Sequence, residues 1–204
     1  STGLLAASHR CLSGLRGGCL SAALIFAVSA SAGDGLESAA AAGEKKNYGR
    51  VIAQCNEFLA TSPDGERSAS ARLLLGKALY YRNLAEPALS NFRSALANST
   101  NAITLSDALR WIGDTSYFLK RYDSAISAYE DLIHRFPESP SAALAHFQIG
   151  MALADQRRYS EALERFNAMI TKFPNDKFST QARYQITRIG RLARQTPATN
   201  RGGK

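Results

Sequence analysis

Residues that often carry catalytic chemistry are scarce in this chain, which has three cysteines and three histidines among 204 residues. Cys11 and Cys19 lie near the N-terminus and Cys55 stands alone, so the sequence indicates no disulfide framework. His134 and His146 have no second histidine or cysteine at the spacing of a metal pair, and no nucleophile motif is present. The sequence therefore predicts no catalytic residue, no metal site and no cofactor.

Acidic residues and long apolar runs are missing from the N-terminal region. Its apolar stretch, Leu20 to Val28, is shorter than the roughly 20 residues that span a bilayer. Arg10 and Arg16 precede this stretch and Ala30-Ser31-Ala32 follows it. This layout predicts that residues 1–32 are a secretory signal and that the protein is periplasmic or secreted; a mitochondrial presequence is the alternative.

Acids are also missing from the C-terminal region. The chain carries a net charge of +8, and residues 177–204 contain seven lysines or arginines. Between the two acid-free regions, 16 cations face all 17 acids, so that part is close to neutral. The basic C-terminal segment predicts peripheral contact with a membrane or an acidic partner, or a solvated terminal helix.

An exact repeat of 37 residues runs through the region between them. The residues that recur at this interval are Gly76, Gly113 and Gly150; Ala88, Ala125 and Ala162; and the aromatic residues Phe92, Tyr129 and Phe166. A constant period in this range is typical of stacked helical hairpins. Cys55 lies one interval before Phe92, so we expect it to be a buried core residue.

One repeat shows how each hairpin is built. Apolar residues at helical spacing before Leu119 predict a first helix, which we call helix A, and those from Ala125 to Ile133 predict helix B. We expect small Ala125 to face Gly113 across the hairpin. Phe136-Pro137 ends helix B, and Ser139-Pro140 is expected to cap and start the next helix.

This order of small, aromatic and proline positions resembles the tetratricopeptide repeat over roughly residues 46–190. The resemblance implies an all-α fold, a right-handed superhelical solenoid of antiparallel helix pairs. The usual period is 34 residues, so we expect the three extra residues to lengthen helix A by about one turn. This longer variant resembles the repeats of bacterial cell-envelope proteins, such as the periplasmic coordinator associated with the Tol-Pal system and the lipoprotein of the outer-membrane assembly machine.

The repeat register also predicts the domain organisation. A partial first repeat is expected at 33–66 and three full hairpins at 67–176. Residues 177–194 read as an unpaired last helix that covers the open end of the solenoid, since Thr187 replaces the repeat glycine. Residues 195–204 lack periodicity, which predicts a disordered tail.

The resemblance also implies a groove lined by helix A, which binds a protein or peptide. Aromatic rings interleaved with charged residues suit such a ligand. The repeat positions that line the groove hold Ser70, Leu73, Lys77, Tyr80, Asp107, Arg110, Asp114, Tyr117, Leu144, Phe147, Met151, Ala154, Gln181, Tyr184, Arg188 and Arg191. The residues among them that we expect to bind are Lys77, Tyr80, Arg110, Asp114, Tyr117, Phe147, Met151, Tyr184 and Arg188. Some of these rings could instead seal neighbouring helices.

The expected function is that of a non-catalytic adaptor or scaffold that helps to assemble or coordinate complexes of the bacterial cell envelope. One alternative is a mitochondrial or organellar assembly subunit with the same fold. The second is a nucleic-acid-binding repeat protein, which is disfavoured because the cations do not recur in every unit. The sequence gives no indication of the oligomeric state.

Overall fold

The fold is seen in a computed structural model that describes residues 35–62 and 64–195, with side chains described up to residue 192. These residues form nine helices and no strand. The helices are α1 (35–44), α2 (Tyr48–Thr61), α3 (Glu66–Tyr81), α4 (Ala85–Asn98), α5 (Ala102–Phe118), α6 (Tyr122–Arg135), α7 (Ala142–Asp155), α8 (Tyr159–Lys172) and α9 (Lys177–Gln195). The predicted leader at 1–32 and the tail from residue 196 lie outside the described residues.

Successive helices from α2 to α9 pack against one another along the chain, and α3 with α5 and α7 with α9 also make contact. The elements α3/α4, α5/α6 and α7/α8 are three antiparallel hairpins. Two apolar clusters form the core, one running from α1 to α6 and the other from α4 to α9. Leu96 of α4 packs against both clusters, so the core is continuous along the stack.

Each hairpin depends on a glycine that lets an aromatic ring approach its helix. A Cβ built on Gly76, Gly113 or Gly150 would lie 2.4 to 2.6 Å from ring carbons of the residue sixteen positions later, in helix B. At Gly113 the three nearest atoms belong to Tyr129. The Tyr129 ring therefore occupies the space directly over Gly113, and the approach of Ala125 to Gly113 stays a prediction.

The turns inside the hairpins share one backbone conformation that the sequence analysis missed. Lys46, Asn83, Lys120 and Arg157 all have positive φ, between 57° and 62°, and stand 37 residues apart. In each turn the amide of the following residue donates a hydrogen bond of 2.8 or 2.9 Å to a carbonyl five positions earlier. This closes the end of helix A in the left-handed cap pattern and turns the chain into helix B.

The extra residues of the 37-residue period lie in different places in different repeats. Helix α5 has 17 residues against 14 in α6, as expected for a longer helix A, whereas α7 has only 14. Residues 136–141 before α7 form turns instead, and Ser139 accepts a hydrogen bond from the amide of Ser141 at 3.2 Å. Helix α7 begins at Ala142, so Ser139-Pro140 is part of this turn and does not start the helix.

Ion pairs link successive repeats at the start of helix B. Arg121, which precedes α6, pairs with Glu86 of α4, and Arg158, which precedes α8, lies 3.8 Å from Asp123 of α6. The residues 37 positions after Asp123 and Arg158 are Ser160 and Gln195, respectively, and neither carries a charge. The series of charge pairs thus ends with the third hairpin. Because these side chains are largely exposed to solvent, the pairs contribute little to stability.

The remaining cysteine lies inside the first cluster. Cys55 in α2 is fully buried, as predicted, and burial raises the pKa of its thiol to about 11. A thiol with such a pKa stays protonated near neutral pH and is a poor nucleophile. Cys55 is therefore a core residue of the first repeat.

Candidate binding groove

Helices α3, α5, α7 and α9 are joined by direct contacts, and we call the surface made by their groove positions the inner face. Lys77 of α3 reaches Asp107 of α5 at 2.8 Å. Tyr117 of α5 donates a hydrogen bond to Asp155 at the end of α7. Phe147 of α7 stacks on Phe178 of α9 with ring centroids 5.6 Å apart. These contacts tie Lys77, Tyr117 and Phe147 to neighbouring helices, and the assignment of all nine predicted residues to one groove stays a prediction.

Charged residues on the first half of the inner face neutralise one another. Arg110 lies between two carboxylates, with its Nη1 2.7 Å from Asp114 and its Nε 3.8 Å from Asp107. Asp107 also holds Lys77, and Tyr129 donates a hydrogen bond of 2.6 Å to Asp114. The result is a connected network of five side chains, Lys77, Asp107, Arg110, Asp114 and Tyr129. All of these except Tyr129 occupy predicted groove positions.

Burial governs the electrostatics of this network. Burial raises the pKa of Asp114, and the hydrogen bond from Tyr129 and the charge of Arg110 oppose that rise. Burial and the nearby Asp114 raise the pKa of Tyr129 well above its usual range, so its hydroxyl remains a donor. The network fixes the orientation of Arg110, whose guanidinium lies 4.2 Å from the Trp111 ring centroid.

An aromatic cluster adjoins this network. The ring of Tyr80 lies 5.4 Å from Trp111 and 5.7 Å from Phe118, and Tyr81 lies 5.9 Å from Trp111. Tyr81 and Phe118 remain 54% and 52% exposed, respectively. Only Tyr80 was predicted for the groove, because the other three rings lie outside the repeat positions used. Their aromatic character is the feature of the sequence that could have identified them. Tyr81 and Phe118 are the last residues of α3 and α5, and Trp111 lies within α5.

The middle of the inner face is built from α5 and α7. Burial raises the pKa of Tyr117, the hydrogen bond to Asp155 adds to that rise, and the positive charge of Arg188 opposes it. Arg188 of α9 is thus near enough to Tyr117 to act on it electrostatically. Met151 is half-buried on the same face.

Phe147, by contrast, presents little surface. It is 8% exposed and packs between Phe166 of α8 and Phe178 of α9. This ring therefore seals helices to one another. The equivalent ring in the next repeat, Tyr184, is 68% exposed, and Arg188 beside it is also exposed.

A cavity of about 600 Å³ opens beside the inner face, between the start of α5 and the turn at residues 136–141. Its walls include Ile103, Phe136, Pro137 and Pro140, with Asp107 of the ion network at its edge. Ile103 is 78% exposed at the mouth of this cavity. The cavity offers an apolar recess to a chain that lies on the inner face.

Other kinds of site were sought in the part of the chain that the structure describes. Within 35–62 and 64–195, no cluster of three histidine, cysteine or acidic residues is arranged to hold a metal ion. No helix within those ranges has both the length and the apolar character needed to cross a membrane.

The helical-repeat class is established by comparison with solved structures. The chain is similar to YrrB, a tetratricopeptide repeat protein with an unusual peptide-binding site, with a TM-score of 0.63 and 18% identity over 80% of this chain and 78% of that one. A tetratricopeptide repeat protein from Parabacteroides merdae gives a TM-score of 0.65 at 17% identity, over 83% of this chain and 68% of that one. At these identities the likeness shows the fold.

A third structure, of tetratricopeptide-like repeats from a putative kinesin light chain of Podosopora anserina, gives a TM-score of 0.66 at 10% identity over 79% of this chain and 86% of that one. Residues 112–177 match the family model of the tetratricopeptide repeat. No curated protein sequence matches the chain. The described residues have the fold of tetratricopeptide repeat proteins, and the predicted all-α solenoid is confirmed.

Proposed function

We propose that the protein is an adaptor whose inner face binds a peptide segment of a partner protein. Tetratricopeptide repeat proteins bind protein or peptide partners and the family is generally non-catalytic. The observation that carries the proposal is the partly exposed aromatic cluster at Tyr80, Tyr81 and Phe118, which lies beside a fixed ion network. Half-exposed rings supply rigid contact area, and oriented charges supply direction.

The apolar cavity at Ile103 extends this surface. A peptide that crosses the inner face could place one apolar side chain among Phe136, Pro137 and Pro140 while its backbone lies near Asp107. Most of the groove residues are already held by intramolecular contacts, so binding needs little ordering of side chains. Such preorganisation reduces the entropy cost of association.

The proposed location is the bacterial cell envelope, where the adaptor would help to assemble or coordinate envelope complexes. The support is the acid-free N-terminal sequence with Ala30-Ser31-Ala32, together with the likeness of the repeat sequence to envelope proteins. In YrrB, a protein of the same fold, a peptide-binding site is present.

The experiment is site-specific photocrosslinking in cells of the source organism. A photoreactive residue is placed at Leu144 or Met151, which are partly exposed positions of the inner face, and, as matched controls, at Ala97 or Ala168, which are exposed positions on α4 and α8. We expect the two inner positions to crosslink to one and the same protein and the controls not to do so. Mass spectrometry of the adduct identifies the crosslinked peptide, and N-terminal sequencing of the same purified protein should start at Gly33.

Two results would contradict the proposal. Crosslinks from Ala97 and Ala168 with none from Leu144 and Met151 would assign binding to the other side of the solenoid. A functional protein that retains residues 1–32 would argue against export through cleavage of a secretory signal, while leaving the groove assignment untouched.

A further inference from the structure

Helix α9 carries a stripe of polar and basic residues along its exposed side. Lys177, Gln181, Tyr184, Arg188 and Arg191 are separated by four, three, four and three residues, and all five are exposed. This spacing keeps side chains on one side of a helix over about 21 Å. We call these five residues the α9 stripe.

The cations of the α9 stripe differ from those of the first half of the inner face. Lys77 and Arg110 are engaged by Asp107 and Asp114. Among the described residues, Arg188 and Arg191 make no ion pair and donate no side-chain hydrogen bond, and α9 contains no acid that could supply one. The inner face therefore has unneutralised positive charge at its α9 end.

The opposite side of α9 is already used for packing. Ala182 and Ile189 are fully buried against the preceding hairpin, and Ile186 packs beside them. A helix that binds a bilayer surface needs an apolar side to insert, and α9 has none to spare apart from Tyr184 and Leu192. A single-stranded nucleic acid would need available cations in successive units, whereas Lys77 of α3 and Arg110 of α5 are paired with Asp107 and Asp114.

We propose that the α9 stripe docks an acidic helical segment of the partner protein. The inference rests on the adaptor function proposed above and assigns the acidic part of the partner to one end of the inner face. The four-and-three spacing fits a helix, because the same spacing brings one side of a partner helix into register with the stripe. Carboxylates on that side of the partner helix pair with Arg188 and Arg191. The ring of Tyr184, one turn before Arg188, supplies contact area.

Continuity with the groove supports this placement. Phe178, which follows Lys177 of the stripe, stacks on Phe147 of α7 with ring centroids 5.6 Å apart, so the start of α9 adjoins the α7 part of the inner face. A partner segment can therefore run from the aromatic cluster across α7 to α9 without leaving one surface.

The test uses a fluorescent, alanine-rich helical peptide about 18 residues long that carries glutamates at alternating three- and four-residue spacing, and a twin peptide with glutamines. Binding to residues 33–204 is measured by fluorescence anisotropy at about 20 mM and about 200 mM salt. We expect the glutamate peptide to bind more tightly than its twin and to weaken at the higher salt. Arg188→Gln with Arg191→Gln should weaken it about 3- to 30-fold at low salt.

The matched control removes the same charge elsewhere. Arg82 and Arg93 are exposed and make no ion pair among the described residues, so Arg82→Gln with Arg93→Gln should leave the affinity within about twofold. Circular dichroism checks that both double variants are folded. Equal loss in the two double variants, or equal binding of the two peptides, would overturn the proposal.

Competition assigns the class of ligand. The competitors are anionic phosphatidylglycerol vesicles and oligouridylate. If either displaces the glutamate peptide and binds more tightly than it does, the ligand of the stripe is a lipid or a nucleic acid and the proposal is wrong. Displacement by a peptide of residues 196–204 would show that the chain's own tail covers the stripe, and would also overturn the proposal.

The two proposals fail in distinguishable ways. If crosslinks from Leu144 and Met151 persist in the Arg188/Arg191 double variant with undiminished yield, the adaptor function stands and the acidic docking site is wrong. If the glutamate peptide binds as expected while the inner positions give no crosslink, the groove assignment fails and the affinity of α9 for acids remains.

Discussion

At equivalent positions 37 residues apart, Phe147 of α7 is 8% exposed and Tyr184 of α9 is 68% exposed. The neighbouring pair follows the same trend, because Gly150 is enclosed by the Phe166 ring whereas Thr187 is exposed. Both helices pack against the preceding hairpin. Only α7 is followed by a further hairpin partner in the described chain, so the role of a repeat position depends on whether the next helix is present.

The polar residues of the two helices differ in the same way. His146 of α7 is partly buried and Met151 is half-buried, whereas Arg183 and Arg188 hold the equivalent positions of α9 and are exposed. The exposed side of α9, the last described helix, thus carries arginines where α7 has partly buried residues, and this change leaves cations available to a partner.

The largest effect that would test this comparison is a change in side-chain volume at the repeat glycine. Gly150→Val should lower the free energy of unfolding by about 3 kcal/mol, the upper part of the range for overpacking, since a Cβ there would lie 2.6 Å from a ring carbon of Phe166. Thr187→Val, at the equivalent position of α9, should change it by less than about 0.5 kcal/mol.

Urea denaturation followed by circular dichroism measures both variants. Equal destabilisation by the two substitutions would show that α9 is covered as closely as α7. The two helices would then differ in amino-acid sequence but not in how closely neighbouring side chains cover them.

A second, smaller effect concerns pH. Burial, together with the charges of Lys172 and Arg165, lowers the pKa of His146 to about 4, against 6.5 for an unperturbed histidine. The unfolded chain therefore takes up a proton before the folded protein does. The resulting stability is present above pH 6.5 and is lost as the pH falls towards 4. We expect a loss of about 1–2 kcal/mol from this group, a value reduced for partial exposure to solvent.

His146→Gln should remove this part of the pH dependence, as judged from urea denaturation at about pH 7 and about pH 4.5. His134→Gln, at an exposed position, is the matched control and should retain it. The equivalent residue of α9 is Arg183, which is exposed. If the His146 variant loses as much stability between the two pH values as the wild-type protein does, other groups cause the acid sensitivity.

The repeat period predicted the hairpins because helix packing places small and aromatic residues at fixed intervals. Gly113 and Tyr129 were recognised by that interval, although their contact with each other was not. The left-handed turn residues also recur every 37 positions, but Lys46 and Arg157 are not residue types that favour positive φ. Their conformation is imposed by the cap hydrogen bonds, so composition alone could not reveal it.

The repeat register assigned residues to the predicted groove but did not give the contacts that they make. Repeat positions identified Lys77, Arg110 and Asp114, but the pairing of Lys77 with Asp107 joins different helices and depends on how they stack. The burial of Phe147 likewise depends on Phe178 of α9. The repeat spacing shows which residues occupy equivalent positions. It does not show which residues of different repeats contact each other, because that depends on how the helices pack.

The smallest expected effect has the opposite sign and again separates α7 from α9. Gly190 lies inside α9, and a Cβ built there meets nothing within 4 Å. Gly190→Ala should therefore stabilise the protein by about 0.5–1 kcal/mol through helix propensity and the reduced entropy of the unfolded chain. Thermal denaturation should show a midpoint about 1–4 °C higher. Gly150→Ala in α7 is the matched comparison and should lower the midpoint, because the Phe166 ring must move. A lower midpoint for the Gly190 variant as well would mean that another part of the protein covers this side of α9, and α9 could no longer be treated as the exposed end of the stack.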